Sequence, residues 1–365
     1  MYTKKNYSLK DMVRWTRSDI YKFIIIAVIP VALYSLLDFK WLHLPWLPIA
    51  LIGTAVAFIV GFKNNASYGR LWEARQIWGG IVNSSRTLGI MVNDYINNDH
   101  AKVKLSEEEL QAIRQKIVYR HIAWMTAHRY TLRMSKPWET FLKRSTNKEY
   151  AALYDVREWR IPFEDAVEPY LDKDELNHIA DKKNKAAQIL SLQSKHLREL
   201  KEQGLIWEFS FLEMETQIKE FFTLQGKNER IKNFPYPRQF ATLNHFFVWI
   251  FILLLPFGIM NEFDKIGVTL LAELDQMAPG TMKIWYEYIA KHFVWSSIPF
   301  SIIISWVFYT MERIGEVSEN PFEGTANDVP ITTMAIDIEI DLREMIGEPK
   351  ERIPESIPMK YDIQT

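Results

Sequence analysis

Three side chains in the stretch GTAVAFIVGF recur at intervals of four residues, namely Thr54, Phe58 and Phe62. This interval places them along one face of an α-helix, over about 12 Å. A row of apolar rings at a constriction disfavours a continuous column of water and can therefore gate the passage of ions. An aromatic ring also presents an electropositive edge to an anion, or its face to a cation. The alternative is that both phenylalanines face lipid or a protein core.

Small residues form a second row in the same stretch, one step around the helix. Gly53, Ala57 and Gly61 are also four residues apart. Small side chains allow helices to approach closely inside a membrane. The stretch therefore predicts a helix with bulky groups on one face and a closely packed neighbour on the adjacent face.

The sequence has few of the residue types and spacings that are typical of catalytic or metal-binding sites. The chain has no cysteine, which excludes disulfides, thiolate metal ligands and thiol nucleophiles. His121 and His128 are two helical turns apart, but no carboxylate accompanies them at a ligand spacing, so we interpret them as core or surface histidines. The Gly-Lys pair in LQGKNER lacks the rest of a P-loop. We therefore predict no catalytic residue, no metal ligand and no cofactor.

Acidic residues cluster in the stretch AIDIEIDLREM near the end of the chain. These residues are Asp337, Glu339, Asp341 and Glu344. They could attract cations, although a solvated surface is the commoner explanation for such a cluster. The alternation of apolar and polar residues in this stretch, taken alone, favours a β-strand. The formal net charge of the whole chain is −1, without a long run of one sign. Nucleic acid is therefore not an expected partner.

Four segments lack charged residues for long enough to suggest that they cross a membrane: 23–37, 41–62, 240–261 and 293–311. A membrane-spanning helix needs about 20 residues. The first segment is shorter, but Lys22 and Asp38 can extend their side chains to the headgroups and lengthen it. The pattern predicts an all-α integral membrane protein with four transmembrane helices, rather than a soluble protein with buried core helices.

The distribution of basic residues predicts how these segments are oriented, because lysine and arginine mark the cytoplasmic side. Five precede the first segment: Lys4, Lys5, Lys10, Arg14 and Arg17. The loop between the third and fourth segments is instead acidic, with Glu262, Asp264, Glu273 and Asp275. We therefore expect a protein of the cell membrane with both termini in the cytoplasm. The expected divisions are 1–62 (N-terminus and helices one and two), 63–238 (cytoplasmic helical region), 239–312 (helices three and four) and 313–365 (cytoplasmic C-terminal segment).

The cytoplasmic region is predicted to be helical. One helix begins near Ser106, where Glu109 completes the spacing of a capping box. A second helical pattern runs from the segment DELNHIADKKNK onward and stops at Gly204, a residue suited to a helix end.

Three motifs resemble the bacterial branch of the bestrophin family. They are GFKNNASYGRLWEARQIWGGIVNSSR after the second apolar segment, NPFEGTANDVPI after the fourth, and IEIDLREMIGE beyond it. The resemblance extends from the first apolar segment to about residue 348, and the order of segments and motifs agrees throughout. It favours a helix over a strand for the third motif.

The resemblance implies a ring of five subunits around one axial pore in the bacterial inner membrane. The second helix of each subunit would line a narrow neck, at positions that correspond to Thr54, Phe58 and Phe62. This helix would continue into a cytoplasmic vestibule, where the polar residues from Lys63 onward line the cavity or contact another subunit. Counting back from NFPYPRQF places the second constriction of the family, the cytoplasmic aperture, at Phe209. Thr54 departs from the apolar residue usual in the family and makes the outer neck wetter.

The resemblance leaves the permeant ion open. Eukaryotic members are calcium-activated chloride channels with an acidic run after NPF, whereas this chain has only Glu323 and Asp328 there, too few oxygen ligands for a calcium loop. Bacterial members include cation channels. We therefore expect a monovalent-ion channel that favours cations, with chloride as the alternative. From other classes, a transporter using His245 or the prolines Pro30, Pro256 and Pro299, a membrane enzyme, or a membrane-anchored scaffold are the competing interpretations.

Overall fold

The computed structural model describes residues 1–153, 155–274 and 280–365. Helices dominate these residues, and no strand occurs among them. In chain order the helices are α1 (Leu9–Leu36), α2 (Trp46–Tyr95), α3 (Glu107–Arg133), α4 (Ser145–Ala151), α5 (Phe163–Val167), α6 (Lys173–Ala180), α7 (Lys185–Gln203), α8 (Glu208–Asn233), α9 (Arg238–Glu273), α10 (Thr281–Lys291), α11 (Ser297–Val317) and α12 (Ile331–Met345). The prediction of an all-α protein is confirmed.

Four helical segments are long and apolar enough to cross a membrane: Leu9–Leu36, Lys40–Tyr95, Arg238–Glu273 and Phe293–Val317. Each coincides with one of the apolar segments of the sequence. The second segment contains α2, which continues for 50 residues and carries the polar motif beyond residue 62 in the same helix. Pro45 and Pro48 stand at the beginning of α2, where a missing N–H costs little, and no proline follows within it.

Local signals set the ends of the other helices. The Ser106 hydroxyl accepts a hydrogen bond from the Glu109 N–H (3.2 Å), and the Glu109 carboxylate accepts one from the Ser106 N–H (2.7 Å), which confirms the capping box. Gly204 ends α7 with a φ of 78°, in the left-handed region. A side chain there would also collide with the His100 carbonyl, so glycine is required on both grounds.

One prediction about the cytoplasmic region needs correction. The stretch that begins at DELN was interpreted as a single helix, but it forms α6 and α7, separated by residues 181–184. The side chain of Asn184 accepts a hydrogen bond from the Ala187 N–H (3.0 Å) and thereby begins a new helix. Because Asn184 caps the start of α7, α6 does not continue into α7 as one helix.

The acidic stretch near the end of the chain is the helix α12, as the resemblance indicated. A solvated face was expected for its carboxylates, and this is wrong for Glu339, which is 2% exposed. Its carboxylate accepts hydrogen bonds from Arg343 (2.9 Å) and from the Tyr170 hydroxyl (2.9 Å). Asp341 is partly exposed and pairs with Arg86 (2.7 Å). These carboxylates already have cationic or hydroxyl partners inside the chain.

The chain divides into two compact units. Unit 1 comprises Met1–Lys4, Gly69–Pro235 and Asn320–Thr365, and unit 2 comprises Lys5–Tyr68 and Tyr236–Glu319. In unit 2 the apolar parts of α1, α2, α9 and α11 share a core that includes Phe23, Val60 and Phe251. The core of unit 1 is larger and involves α3, α7, α8 and α12 together with the second half of α2.

Two histidines lie at the centre of the unit 1 core. His121 packs against the rings of Trp124 (centroids 5.1 Å apart) and Phe221 (4.5 Å), and His128 stacks on Trp124 (5.9 Å) and Trp78 (6.0 Å). Burial lowers the pKa of each histidine to about 3, so both are neutral at physiological pH. Of the two alternatives that the sequence left open, core and surface histidines, the structure shows core histidines.

Candidate ion pore

The three residues of the predicted neck lie on the exposed face of α2 within unit 2. The side chains of Phe58 and Phe62 are 66% and 70% exposed in the single chain. Two such rings, one turn apart, form an apolar surface that has no partner in the described residues of this subunit. The Thr54 hydroxyl donates its hydrogen to the Ala50 carbonyl (2.9 Å), so it can offer only oxygen lone pairs outward.

These residues line an open groove of about 970 Å³. One wall is the exposed face of α2, from Trp46 to Asn65, and the other wall includes Phe251 of α9 and Ile304 and Phe308 of α11. The groove is almost entirely apolar. A surface of this kind on a chain with four apolar helices is suited to contact with lipid or with another subunit.

In the row of small residues, Gly53 is buried inside unit 2, whereas Ala57 and Gly61 are exposed on its surface. Gly53 is buried, and a Cβ atom at this position would lie 2.6 Å from the Phe251 ring, so α2 and α9 approach closely there. Ala57 is exposed in the groove. A Cβ atom on Gly61 would meet no described atom within 4 Å. The outer two positions therefore leave room for a helix from outside the chain.

A buried row on α2 holds the helix in unit 2, and it contains a charge. Val56, Val60, Lys63 and Ser67 follow the three- and four-residue spacing of a helix face. The ammonium of Lys63 lies 2.9 Å from Oε1 of Glu312, and both side chains are only 2% exposed. We predicted Lys63 to line a vestibule or contact another subunit, and this is wrong because its partner lies in α11 of the same chain.

Two further polar contacts surround this ion pair. Oε2 of Glu312 has no hydrogen-bond partner in the described part of the chain and faces Nδ1 of His245 on α9 at 4.0 Å. The next residue of α11, Arg313, pairs with Asp19 of α1 at 2.8 Å, again with both side chains buried. Sequence reasoning missed both ion pairs. The signal was present, since Asp19 and Lys63 fall in register with the buried apolar residues of their helices.

The predicted aperture residue, Phe209, lies in the first turn of α8 in unit 1. Its side chain is 63% exposed, and its ring contacts that of Trp207, with centroids 4.8 Å apart. Phe209 is therefore not a buried ring of the helical core of unit 1. The exposed position leaves Phe209 available to other subunits or to solvent.

The loop after NPF uses its carboxylates for internal hydrogen bonds. The Asp328 carboxylate accepts hydrogen bonds from the N–H groups of Gly324 (2.7 Å) and Thr325 (2.9 Å) and from the Thr325 hydroxyl (2.7 Å). Burial, together with the nearby Asp328 and Glu139, raises the pKa of Glu323 to about 8. Within the described ranges no three His, Asp or Glu side chains are grouped to hold a metal ion.

Glu262, Asp264 and Glu273 were expected in a loop between the third and fourth apolar segments, but they lie on α9, which continues to Glu273. Glu262 pairs with Lys265 (2.8 Å), and Asp264 accepts a hydrogen bond from the Tyr34 hydroxyl (2.7 Å). Glu273 is exposed at the end of α9. Asp275, which we also placed in this loop, lies outside the described residues. The Lys265 ammonium offsets the charge of Glu262, whereas the Tyr34 hydroxyl is neutral and leaves the negative charge of Asp264 in place.

The four apolar helices, with a polar helical unit between the second and third, define an α-helical integral membrane protein. The model of the family described as bacterial/fungal bestrophin protein matches residues 2–273 and 288–344. The chain belongs to the bestrophin family.

Relatives and solved structures agree with this assignment. A relative from Salmonella typhi, named voltage-dependent anion channel-forming protein YneE, is 25% identical over 91% of this chain and 86% of the relative. A relative from Ralstonia nicotianae with the same kind of name is 25% identical over 84% of this chain and 82% of the relative. A crystal structure of a bacterial bestrophin homologue from Klebsiella pneumoniae is 21% identical, with a TM-score of 0.67, and covers 91% of this chain and 99% of its own. This last similarity establishes a shared fold.

Proposed function

We propose that the protein is a passive ion channel whose subunits surround one axial pore, with Thr54, Phe58 and Phe62 as the neck. The observation that carries the proposal is the division of α2 into two faces. One face is anchored inside unit 2, whereas the other presents a row of phenylalanine rings outside the subunit. Five copies around an axis would bring these rows of rings together at one constriction. Phe209 is the proposed second constriction.

The proposed topology is the one that the distribution of basic residues predicts. Segments 1–62 and 239–312 would hold the four transmembrane helices, and segments 63–238 and 313–365 would lie in the cytoplasm with both termini. The exposed apolar residues of unit 2 would then face lipid or neighbouring subunits, with Gly61 and Ala57 at a close subunit contact. Membrane transport by a conformational cycle and an enzymatic reaction are the competing interpretations, and current recordings distinguish them from a channel.

The first expected result is a homopentamer. Mass measurement of the purified protein in detergent should give a particle with five copies of the 43.1 kDa chain. Planar bilayers that contain this particle should show discrete unitary currents, which a scaffold or a slow transporter would not produce. A monomer or dimer as the sole species, or a pentamer without currents under any ionic gradient, would contradict the proposal.

We propose monovalent anions as the favoured permeant ions. The neck holds no fixed charge, so ring orientation decides the sign. The curated relatives that share most of this chain are named as anion channels, and Glu262, one of the carboxylates expected to attract cations, is paired with Lys265. Cations, which the sequence favoured, are the second candidate, because Thr54 offers only oxygen lone pairs to the neck.

Reversal potentials under a salt gradient distinguish the two candidates. The expected potential follows the chloride gradient and stays constant when sodium is replaced by a large organic cation. A potential that follows sodium, and stays constant when chloride is replaced by a large organic anion, would establish cation conduction.

Micromolar calcium is expected to leave the currents unchanged. The Asp328 carboxylate, which a calcium loop would need, already accepts three hydrogen bonds inside its own loop. A calcium titration of the purified channel checks this, with Asp328→Asn as the comparison. Activation by calcium that the Asp328→Asn variant has lost would show a working calcium site in this loop.

A further inference from the structure

We propose that the buried ion pair between Lys63 and Glu312 fixes the rotation of α2 about its own axis and thereby presents Phe58 and Phe62 to the pore. The inference rests on the proposed function, in which these rings form the neck. Lys63 and Glu312 would act as positioning residues, because both side chains are buried inside unit 2, whereas the rings are exposed outside it.

The location of Lys63 makes this coupling direct. It follows Phe62 in the chain, and each residue of an α-helix advances by about 100°. When Phe62 faces outward, Lys63 is therefore directed into unit 2, where its ammonium meets Oε1 of Glu312 at 2.9 Å. A rotation that turned Phe62 inward would separate the two charges and leave the Glu312 carboxylate buried without the Lys63 ammonium, which is strongly unfavourable.

The apolar members of the buried row cannot set the rotation as sharply. Val56 and Val60 contribute hydrophobic contacts, which are non-directional and tolerate small shifts. An ion pair with a hydrogen bond depends on both distance and angle. One turn beyond Lys63, the Ser67 hydroxyl donates to the Gly315 carbonyl (2.9 Å), so α11 holds α2 at two successive turns.

The chain contains a matched control for this ion pair. Asp19 and Arg313 form a pair at 2.8 Å, with side chains 2% and 1% exposed. Arg313 follows Glu312 in α11, but its carboxylate partner belongs to α1 and not to α2. Loss of this second pair removes a comparable interaction from the same core and leaves the attachment of the neck helix intact.

The absence of cysteine from the chain allows a direct measurement of rotation. Single reporters Phe62→Cys and Val60→Cys lie about 200° apart around α2, one exposed and one 4% exposed. Each reporter is introduced into the native chain, into the pair variant Lys63→Met with Glu312→Met, and into the control variant Asp19→Leu with Arg313→Met. Replacing both members of a buried pair by apolar residues is often neutral for stability, so these variants should fold. The rate of modification by a membrane-impermeant thiol reagent is then followed by mass spectrometry.

In the native chain, position 62 should react faster than position 60 by about tenfold or more, as expected for an exposed against a buried thiol. The pair variant should lose most of this ratio while its melting temperature stays near that of the native protein. The control variant should keep the ratio, and so should Lys63→Arg, which retains the charge. An unchanged ratio in the pair variant, or an equal loss in the control, would overturn the proposal.

Current recordings separate this inference from the proposed function. The pair variant, without reporters, should show a several-fold change in open probability, whereas the control variant should resemble the native channel. If the native protein gave no current, the proposed channel function would fail, yet the thiol ratio would still decide whether Lys63 and Glu312 orient α2.

Discussion

Replacement of both Phe58 and Phe62 by alanine is expected to raise the unitary conductance or the open probability on the order of tenfold, which corresponds to a barrier lower by about 1.4 kcal/mol. Alanine widens the constriction and makes it easier for water to fill it, so an ion sheds less of its hydration shell on the way through. Both rings are largely exposed in the single chain. Their removal should therefore leave the subunit folded.

The measurement is a comparison of single-channel currents from pentamers of the native protein and of the double variant. Phe246→Ala combined with Phe300→Ala is the matched control, since these phenylalanines are also exposed in unit 2, at 57% and 54%, but belong to α9 and α11. The control should conduct as the native channel does. If the Phe58 and Phe62 variant instead lost its pentamer and kept the native current per channel, the rings would serve in packing and not in a gate.

Acidification from pH 7 to 5 is expected to lower the stability of the protein by about 2 kcal/mol for each of His121 and His128. Burial lowers the pKa of both to about 3 in the folded protein, whereas an unfolded histidine has a pKa of about 6.5. Below pH 6.5 the unfolded chain binds protons that the folded chain does not accept. The stability contributed by the neutral histidines is therefore present above pH 6.5 and is lost progressively as the pH falls toward 3.

Melting temperatures of the full-length protein, followed by tryptophan fluorescence at pH 7 and pH 5, check this expectation. Carboxylates also respond to acid, so the informative quantity is the difference between the native chain and a variant. His121→Gln and His128→Gln cannot gain the proton, and each should show a smaller fall in melting temperature than the native protein. His178→Gln, at an exposed position of α6, should fall as the native protein does. Equal falls in all four proteins would contradict the assignment.

Much of the fold could be predicted because its signals are local. Charge-free segments predicted the four apolar helices, the Ser106 and Glu109 spacing predicted the start of α3, and the resemblance to the bestrophins predicted that α2 continues beyond residue 62. The break between α6 and α7 could not be predicted in the same way. The residues around it are mostly good helix formers, and the stop depends on Asn184 forming a cap instead of continuing the helix.

The candidate pore likewise has one part that could be predicted from a local pattern and one part that could not. The row of Thr54, Phe58 and Phe62 is a local pattern on one helix, and the structure places all three on the exposed face of that helix. The anchoring of this helix is not local, because Lys63 and Glu312 are 249 positions apart. A lysine directly after an apolar segment normally indicates the membrane surface. Only the position of Glu312 in the folded chain reveals that Lys63 is buried.

The Lys63 and Glu312 pair also constrains the evolution of this chain. Replacement of either residue alone leaves the other charge buried, so a lineage that changes one position passes through a poorly stable intermediate. Descendants should therefore keep both residues, exchange their charges, or replace both with apolar residues, and single changes should be rare. We therefore expect positions 63 and 312 to covary in an alignment of related sequences.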